Sequence, residues 1–358
     1  MRKQNLFTRR DFLATGAAAG VVALGGFSGQ LALADAVTTP HSDIAALRRD
    51  IVNSPVRVGL HRARVFTKVF RETEDKPWVL RKALAMREYF QTVPLYIRDH
   101  DNLASAISEL PGAMPVIVEL GIGENNIYTG ERPDRKGYLQ DKVPEEICEY
   151  WKNRNMWGRY RTEILGQQPY DRADQLPKAL GYNFISNQGH LSPSYSELLQ
   201  VGIGGLLARV QERKGEGSDA DQAAFLEAAE ISLTGLSEWI SRYAEFLGEQ
   251  AIVCEQPARA TELREMSRIA AKVATAPPQT FREAMQLIWF VHQAVHIEGH
   301  GYSNTPDRID QLLFPFYEAD RRAGRIDDDQ ALRLVENFVL KQYDNSFWGS
   351  EHHLTQGL

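Results

Sequence analysis

Two polar clusters in this chain carry side chains that can bind a small ligand or move a proton. The first is Ser186-Asn187-Gln188-Gly189-His190-Leu191-Ser192-Pro193-Ser194-Tyr195. Hydrogen-bonding side chains crowd around a glycine there, and glycine admits close backbone approach. That composition suits a loop facing a ligand. It equally suits a polar turn capping the helix that follows. The second cluster runs from Glu298 through Ser303, Asn304, Asp307 and Arg308 to Asp310 and Gln311, with Gly299 and Gly301 between. Its polar groups can line a pocket, or serve as a helix-to-helix loop whose charges pair locally.

Between the two lies a histidine pattern. His292 and His296 stand at i and i+4 on one helix face, a spacing a metal site can use, and Glu298 and His300 follow. The surrounding segment, Met285–Val295, is strongly apolar, and a histidine buried in such a helix is usually satisfied by hydrogen bonds. The His-Glu-x-x-His arrangement of zinc proteases is absent. No metal is therefore expected, and a metal-dependent enzyme using His292, His296 and Glu298 stands as a third reading. Cys148 sits among Glu145, Glu146 and Glu149, which raise a thiol pKa, and Cys254 lies near a helix end. Neither is persuasive as a nucleophile, and whether they pair stays open. No Walker loop, dinucleotide fingerprint or Gly-x-Ser-x-Gly elbow occurs. No catalytic residue is assigned to this chain.

The elements that must hold these clusters are mostly helical. A leader arm with a short helix around Ile44–Val52 precedes a helical stretch over 61–95. Pro94–Ile97 reads as a short buried strand, and Met114–Val118 as another. Pro144 opens a helix with acids in its first turn. The polar loop leads into a Gly-rich apolar helix, Leu198–Val210. A long amphipathic helix spans Asp219–Gln250, with Phe225, Ala229, Leu233, Leu236, Ile240, Tyr243 and Leu247 at three- to four-residue spacing. Further helices are expected at Pro257–Val273, at Phe281–His296 capped by Thr280, at Ile309–Ala319 and at Asp328–Lys341.

Composition sets the outer bounds. The 358 residues hold 41 Lys+Arg against 47 Asp+Glu, a formal charge of −6, and two cysteines. Such a balance gives no electrostatic reason to bind nucleic acid, and two cysteines exclude a disulfide scaffold. The N-terminus departs from this average. Arg9 and Arg10 precede an uncharged run, Phe12–Ala34, rich in Ala, Gly and Val, which closes on Ala32-Leu33-Ala34. Basic region, apolar region and small-x-small site in that order resemble a twin-arginine export signal cleaved after Ala34. Residues 1–34 are thus expected to be a signal peptide and 35–358 the mature domain. An uncleaved anchor is the other reading, since the run is just long enough to span a bilayer. Export places the mature protein in a bacterial periplasm, or in the cytoplasm if the leader is not functional.

Several phrases resemble the N-terminal part of the pyruvate formate-lyase domain of glycyl radical enzymes. They are Gln188–Tyr195 with the Gly-rich helix after it, Ala228 with Arg242-Tyr243-Ala244, Pro277–Phe290, Ile297–Ser303, and Arg308–Tyr317. A weaker echo is Arg62-Ala63 with Thr67, then Pro77, Arg81 and Ala83. The order matches over about residues 50–358, and the Pro277–Tyr317 block is the most specific.

The resemblance implies an α/β, predominantly helical fold: the N-terminal half of a ten-stranded α/β barrel wrapped by helices. It implies a lyase or formate acetyltransferase-like activity of anaerobic metabolism, cleaving C–C, C–O or C–N bonds of a small polar organic substrate. The radical glycine and the thiyl cysteine of the family lie in its C-terminal half, and nothing here matches either motif. A chain that stops at Gly357-Leu358 is therefore expected to be truncated before them. No cofactor is bound; a radical-SAM activase installs the glycyl radical. The implied partners are that activase, a C-terminal half or homodimer partner, and the twin-arginine translocase. By resemblance, His190, Ser192 and Ser303 bind substrate. There are departures: Gly299-His300 where the family often has Ser-Asn, Tyr302 for His, Asp307-Arg308 for Gly-Arg, and His61 and Lys68 where it has Glu. The alternative function is an exported, non-catalytic relative, a helical binding or partner protein.

Overall fold

The computed structural model describes residues 42–54, 57–119, 143–155, 159, 190–217, 219–299 and 303–344. Arg9, Arg10 and Ala34, the loop residues before His190, His300 to Tyr302 and the final residues from 345 lie outside the described residues.

Helices dominate. In chain order they are α1 (Ser42–Asn53), α2 (His61–Glu72), α3 (Trp78–Thr92), α4 (Glu145–Trp151), α5 (Tyr195–Gly215), α6 (Ala220–Val253), α7 (Pro257–Val273), α8 (Phe281–Gly299), α9 (Ile309–Arg322) and α10 (Asp328–Asp344). Four short strands accompany them among the described residues: β1 (Arg57–Gly59), β2 (Ala113–Pro115), β3 (His190–Leu191) and β4 (Ser303–Asn304). They form two parallel pairs, β1 with β2 and β3 with β4. Among the described residues no helix is long and apolar enough to cross a membrane.

Local chemistry explains several element ends. Asp219 caps α6, its Oδ1 accepting the Gln222 N–H at 2.8 Å. Pro77 stands at the N-cap of α3, so the helical stretch expected over 61–95 divides into two helices there. Thr280 caps α8: its Oγ1 accepts the Glu283 N–H at 3.2 Å, while Glu283 accepts the Gln279 N–H at 2.8 Å. Asp320 of α9 accepts the Phe281 N–H at 2.8 Å, satisfying another orphan donor of that helix end.

The core forms where α6 lies along α3 and α7, with Trp239, Ile240, Tyr243 and Leu247 buried on its inner stripe. Helix α8 is buried over most of its surface: Phe281, Leu287, Ile288, Trp289 and Phe290 are inside, and so are the polar Glu283, Gln286, His292 and Gln293. It touches α5, α6, α7, α9 and β4, and so is the axis on which the polar clusters hang.

Three sequence expectations change. Pro94–Ile97 is not a strand. Arginine side chains satisfy the carbonyls flanking it: Arg242 donates to Phe90 and Val93, and Arg259 to Arg98. Strand β1 emerges inside what the sequence shows as an arm, because its partner β2 lies far along the chain. The strand expected at Met114–Val118 is Ala113–Pro115. Both cysteines are free thiols, and burial, ahead of the neighbouring glutamates, pushes the Cys148 thiol up.

Candidate functional site

The two polar clusters meet as a strand pair. In the parallel β3–β4 ladder, His190 is in register with Ser303 and Leu191 with Asn304. The two segments come from opposite sides of four intervening helices, yet their backbones lie side by side. Residues paired in a parallel ladder share a face, so positions 190 and 303 lie together and positions 191 and 304 lie together on the other face. Ser192 is exposed just past β3. The amide oxygen and nitrogen of Asn304 are buried without a hydrogen-bond partner.

A few residues past β3, Tyr195 opens α5 and is fully buried. Its Oη lies 3.4 Å from His292 Nδ1, and His292 Nε2 lies 2.9 Å from Gln342 Oε1 of α10. An amide oxygen only accepts, so the Gln342 contact puts the imidazole proton on Nε2 and leaves Nδ1 to accept from the phenol. His296 Nε2 is 3.2 Å from the same His292 Nε2. Burial pulls His292 down to about 4, partly offset by the Gln342 hydrogen bond, so the ring is neutral near pH 7. Burial, reinforced by the Asp307 carboxylate, pushes the Tyr195 phenol well up. The arrangement is a buried polar network inside an apolar helix bundle, in which the Gln342 amide oxygen is engaged and its nitrogen has no hydrogen-bond partner among the described residues.

The third member of the sequence's histidine pattern goes elsewhere. The Glu298 carboxylate pairs with Lys82 of α3, and its carbonyl accepts from Arg62 at 3.0 Å. Among the described residues no group of three His, Cys, Asp or Glu side chains converges as a metal site needs.

Arg62 was not foreseen as a site residue. It is fully buried, its guanidinium lies 3.6 Å from the centre of the Phe66 ring, and it forms a two-pronged ion pair with Glu119 at 2.5 and 2.9 Å. The signal was present in the sequence: Arg62 falls on the same helical stripe as Phe66 and Val69, where an apolar residue belongs. Two of the departures from the family pattern near it have structural partners. His61 Nε2 lies 2.9 Å from Thr92 Oγ1, and Lys68 pairs with Glu88 at 2.9 Å. Thr67, which keeps the pattern, accepts the Trp151 indole N–H at 2.9 Å.

The model of the pyruvate formate lyase-like family matches residues 37–355. The chain belongs to that family. Similar pyruvate formate lyase-like proteins include a (2S)-3-sulfopropanediol dehydratase of Klebsiella oxytoca, 28% identical over 319 residues, which are 85% of this chain and 38% of that one. A probable dehydratase of Escherichia coli, YbiW, is 30% identical, with 81% of this chain and 37% of that protein covered. Among solved structures, the glycerol-bound form of the B12-independent glycerol dehydratase from Clostridium butyricum superposes with a TM-score of 0.78 at 26% identity. That match covers 88% of this chain and 41% of that one. The chain thus spans well under half the length of these relatives. The predominantly helical, pyruvate formate lyase-like fold follows from both the elements and the superposition.

Proposed function

We propose that this chain is the N-terminal part of a glycyl radical enzyme of the pyruvate formate-lyase and diol dehydratase type. Its role there is to form part of the pocket in which a C–O bond of a small hydroxylated substrate is broken. The parallel pairing of β3 with β4 carries the reading, because it brings His190 and Ser303, from two separate polar clusters, into register. His190, Ser192 and Ser303 bind and orient the substrate. Among the bond types open to the family, C–O cleavage is favoured by relatives named as dehydratases. The glycyl radical, on a residue outside this chain and installed by a radical-SAM activase, supplies the hydrogen abstraction. A C-terminal half or a second copy completes the barrel. Residues 1–34 form the leader read by the twin-arginine translocase through Arg9 and Arg10, and cleavage after Ala34 leaves 35–358 in the periplasm.

Isothermal titration of the 358-residue chain with glycerol and with (2S)-3-sulfopropanediol tests the pocket. Saturable binding of one of them is expected. Ser303→Ala and Ser192→Ala should each weaken it about tenfold, the effect of one lost hydrogen bond to a bound hydroxyl. No saturable binding, or affinities unchanged in both variants, overturns the proposal.

A further inference from the structure

We infer that Arg62 is a positioning residue: its guanidinium fixes where α8 ends, and so where Ser303 is presented to His190. The pocket assignment it serves is the one proposed above.

Every N–H of the guanidinium is used. Nε donates to the Ile297 carbonyl at 2.7 Å. Nη1 donates to the Val116 carbonyl at 3.3 Å and to Glu119 Oε2 at 2.9 Å. Nη2 donates to Glu119 Oε1 at 2.5 Å and to the Glu298 carbonyl at 3.0 Å. The last carbonyls of a helix have no partner within it, and Ile297 and Glu298 supply two of them in α8. A cation is also favoured at a helix C-terminus.

The second anchor is as specific. Val116 follows β2 directly and Glu119 comes three residues later, and the Val116 N–H donates to the Gly59 carbonyl at 3.2 Å, continuing the β1–β2 pairing. One side chain therefore joins the first strand pair to the end of α8, and β4 begins shortly after that end. Lys82 on Glu298 braces the same turn from α3. A lysine cannot replace Arg62, because it has three donors and no planar fork to meet two carbonyls and a carboxylate together. Glu119 leaves the guanidinium charge compensated in the interior; without it the position is costly.

A positioning role and a merely structural one separate in a double variant. Arg62→Met with Glu119→Leu removes both charges at once, a replacement that proteins often tolerate without loss of stability. Hydrogen exchange is read on the ligand-free chain. Amides of Glu298, Gly299, Ser303 and Asn304 are expected to exchange at least about tenfold faster, while those of α6 and α7 are unchanged, because local opening is read separately from global unfolding. Arg62→Lys should fall between wild type and the double variant. The glycerol affinity of the double variant should fall by about tenfold or more while its thermal midpoint holds. Unchanged exchange at the four amides overturns the inference. So does uniform acceleration along the whole chain, which marks a structural role alone. Exchange needs no ligand. If the wild type binds no polyol the pocket assignment fails, and the positioning of β4 by Arg62 is still decided by exchange.

Discussion

His292 makes the clearest prediction at the residue scale. Its ring is fully buried between Tyr195, His296 and Gln342. Burial lowers it from the ordinary 6.5 to about 4. The unfolded chain takes up a proton as pH falls through 6.5, and the folded chain does so only near 4. This residue's contribution is thus complete above pH 6.5 and lost progressively between there and pH 4, amounting to about 3 kcal/mol. Urea denaturation of wild type and His292→Gln at intervals from pH 7 to pH 4 checks it. The wild type should lose more stability over that window, by roughly that amount; parallel pH profiles would show that the ring is not titrating from a buried neutral state. The sequence foretold this residue's situation from its apolar surroundings, since a histidine in so apolar a helix requires hydrogen-bond partners. Which partners they are was not legible, because Tyr195 and Gln342 arrive from helices remote in the chain.

At the scale of elements, amphipathic spacing and caps located the helices well: Pro257–Val273 matches its expected bounds, and Thr280 starts α8. Such signals are local. The strands were harder to read, because β1 and β4 are two or three residues long and exist only through partners from elsewhere. Both polar clusters of the candidate site were visible in the sequence, but their pairing was not. The kink of α5 lies between these cases. Three glycines marked its apolar helix, and Gly202 alone has φ +66° with ψ 178°. A Cβ there would meet Pro277 N at 2.6 Å and Thr275 O at 2.7 Å, so the glycine lets α5 lie against the segment that leads into α8. Gly202→Ala should destabilise by about 3 kcal/mol or more, from backbone strain and overlap together. Gly215, whose Cβ would meet nothing within 4 Å, provides the contrast. Gly215→Ala should be neutral or gain up to about 1 kcal/mol from helix propensity. Equal thermal midpoints for the two variants would show that the kink is not required.

At the scale of the whole molecule, the first described helix is held against the last. Ile44, Leu47 and Ile51 of α1 pack with Leu340 of α10 in a small cluster apart from the main core. Arg98 ties that cluster to the rest. Its Nη1 donates to Asp50 at 2.6 Å and Ser54 at 3.0 Å, its Nη2 donates to Asp344 at 2.9 Å, and its carbonyl accepts from Arg259 of α7 at 2.7 Å. Asp101, whose Oδ2 accepts the Arg98 N–H, also holds Lys341 at 2.9 Å. The two carboxylates on Arg98 differ in kind. The Asp50 side chain is 54% exposed and the Asp344 side chain 14%. Burial pushes the Asp344 carboxyl up against the opposing pull of Arg98, so its charge depends on that partner. Removing the guanidinium in Arg98→Met leaves a buried carboxylate uncompensated and should cost about 3–5 kcal/mol. Asp50→Asn, at a solvated position, should cost under about 1 kcal/mol. Adding Asp344→Asn to Arg98→Met removes the stranded charge and should recover part of the loss. A double-mutant cycle by chemical denaturation should return a coupling of about 1–3 kcal/mol between positions 98 and 344. Coupling near zero would mean that Arg98 and Asp344 contribute independently, so that their pairing does not hold the end of α10. With coupling of the expected size, hydrogen exchange in Arg98→Met should accelerate first over Ser42–Asn53, because the lost guanidinium holds Asp50 on that helix and Ser54 just past it.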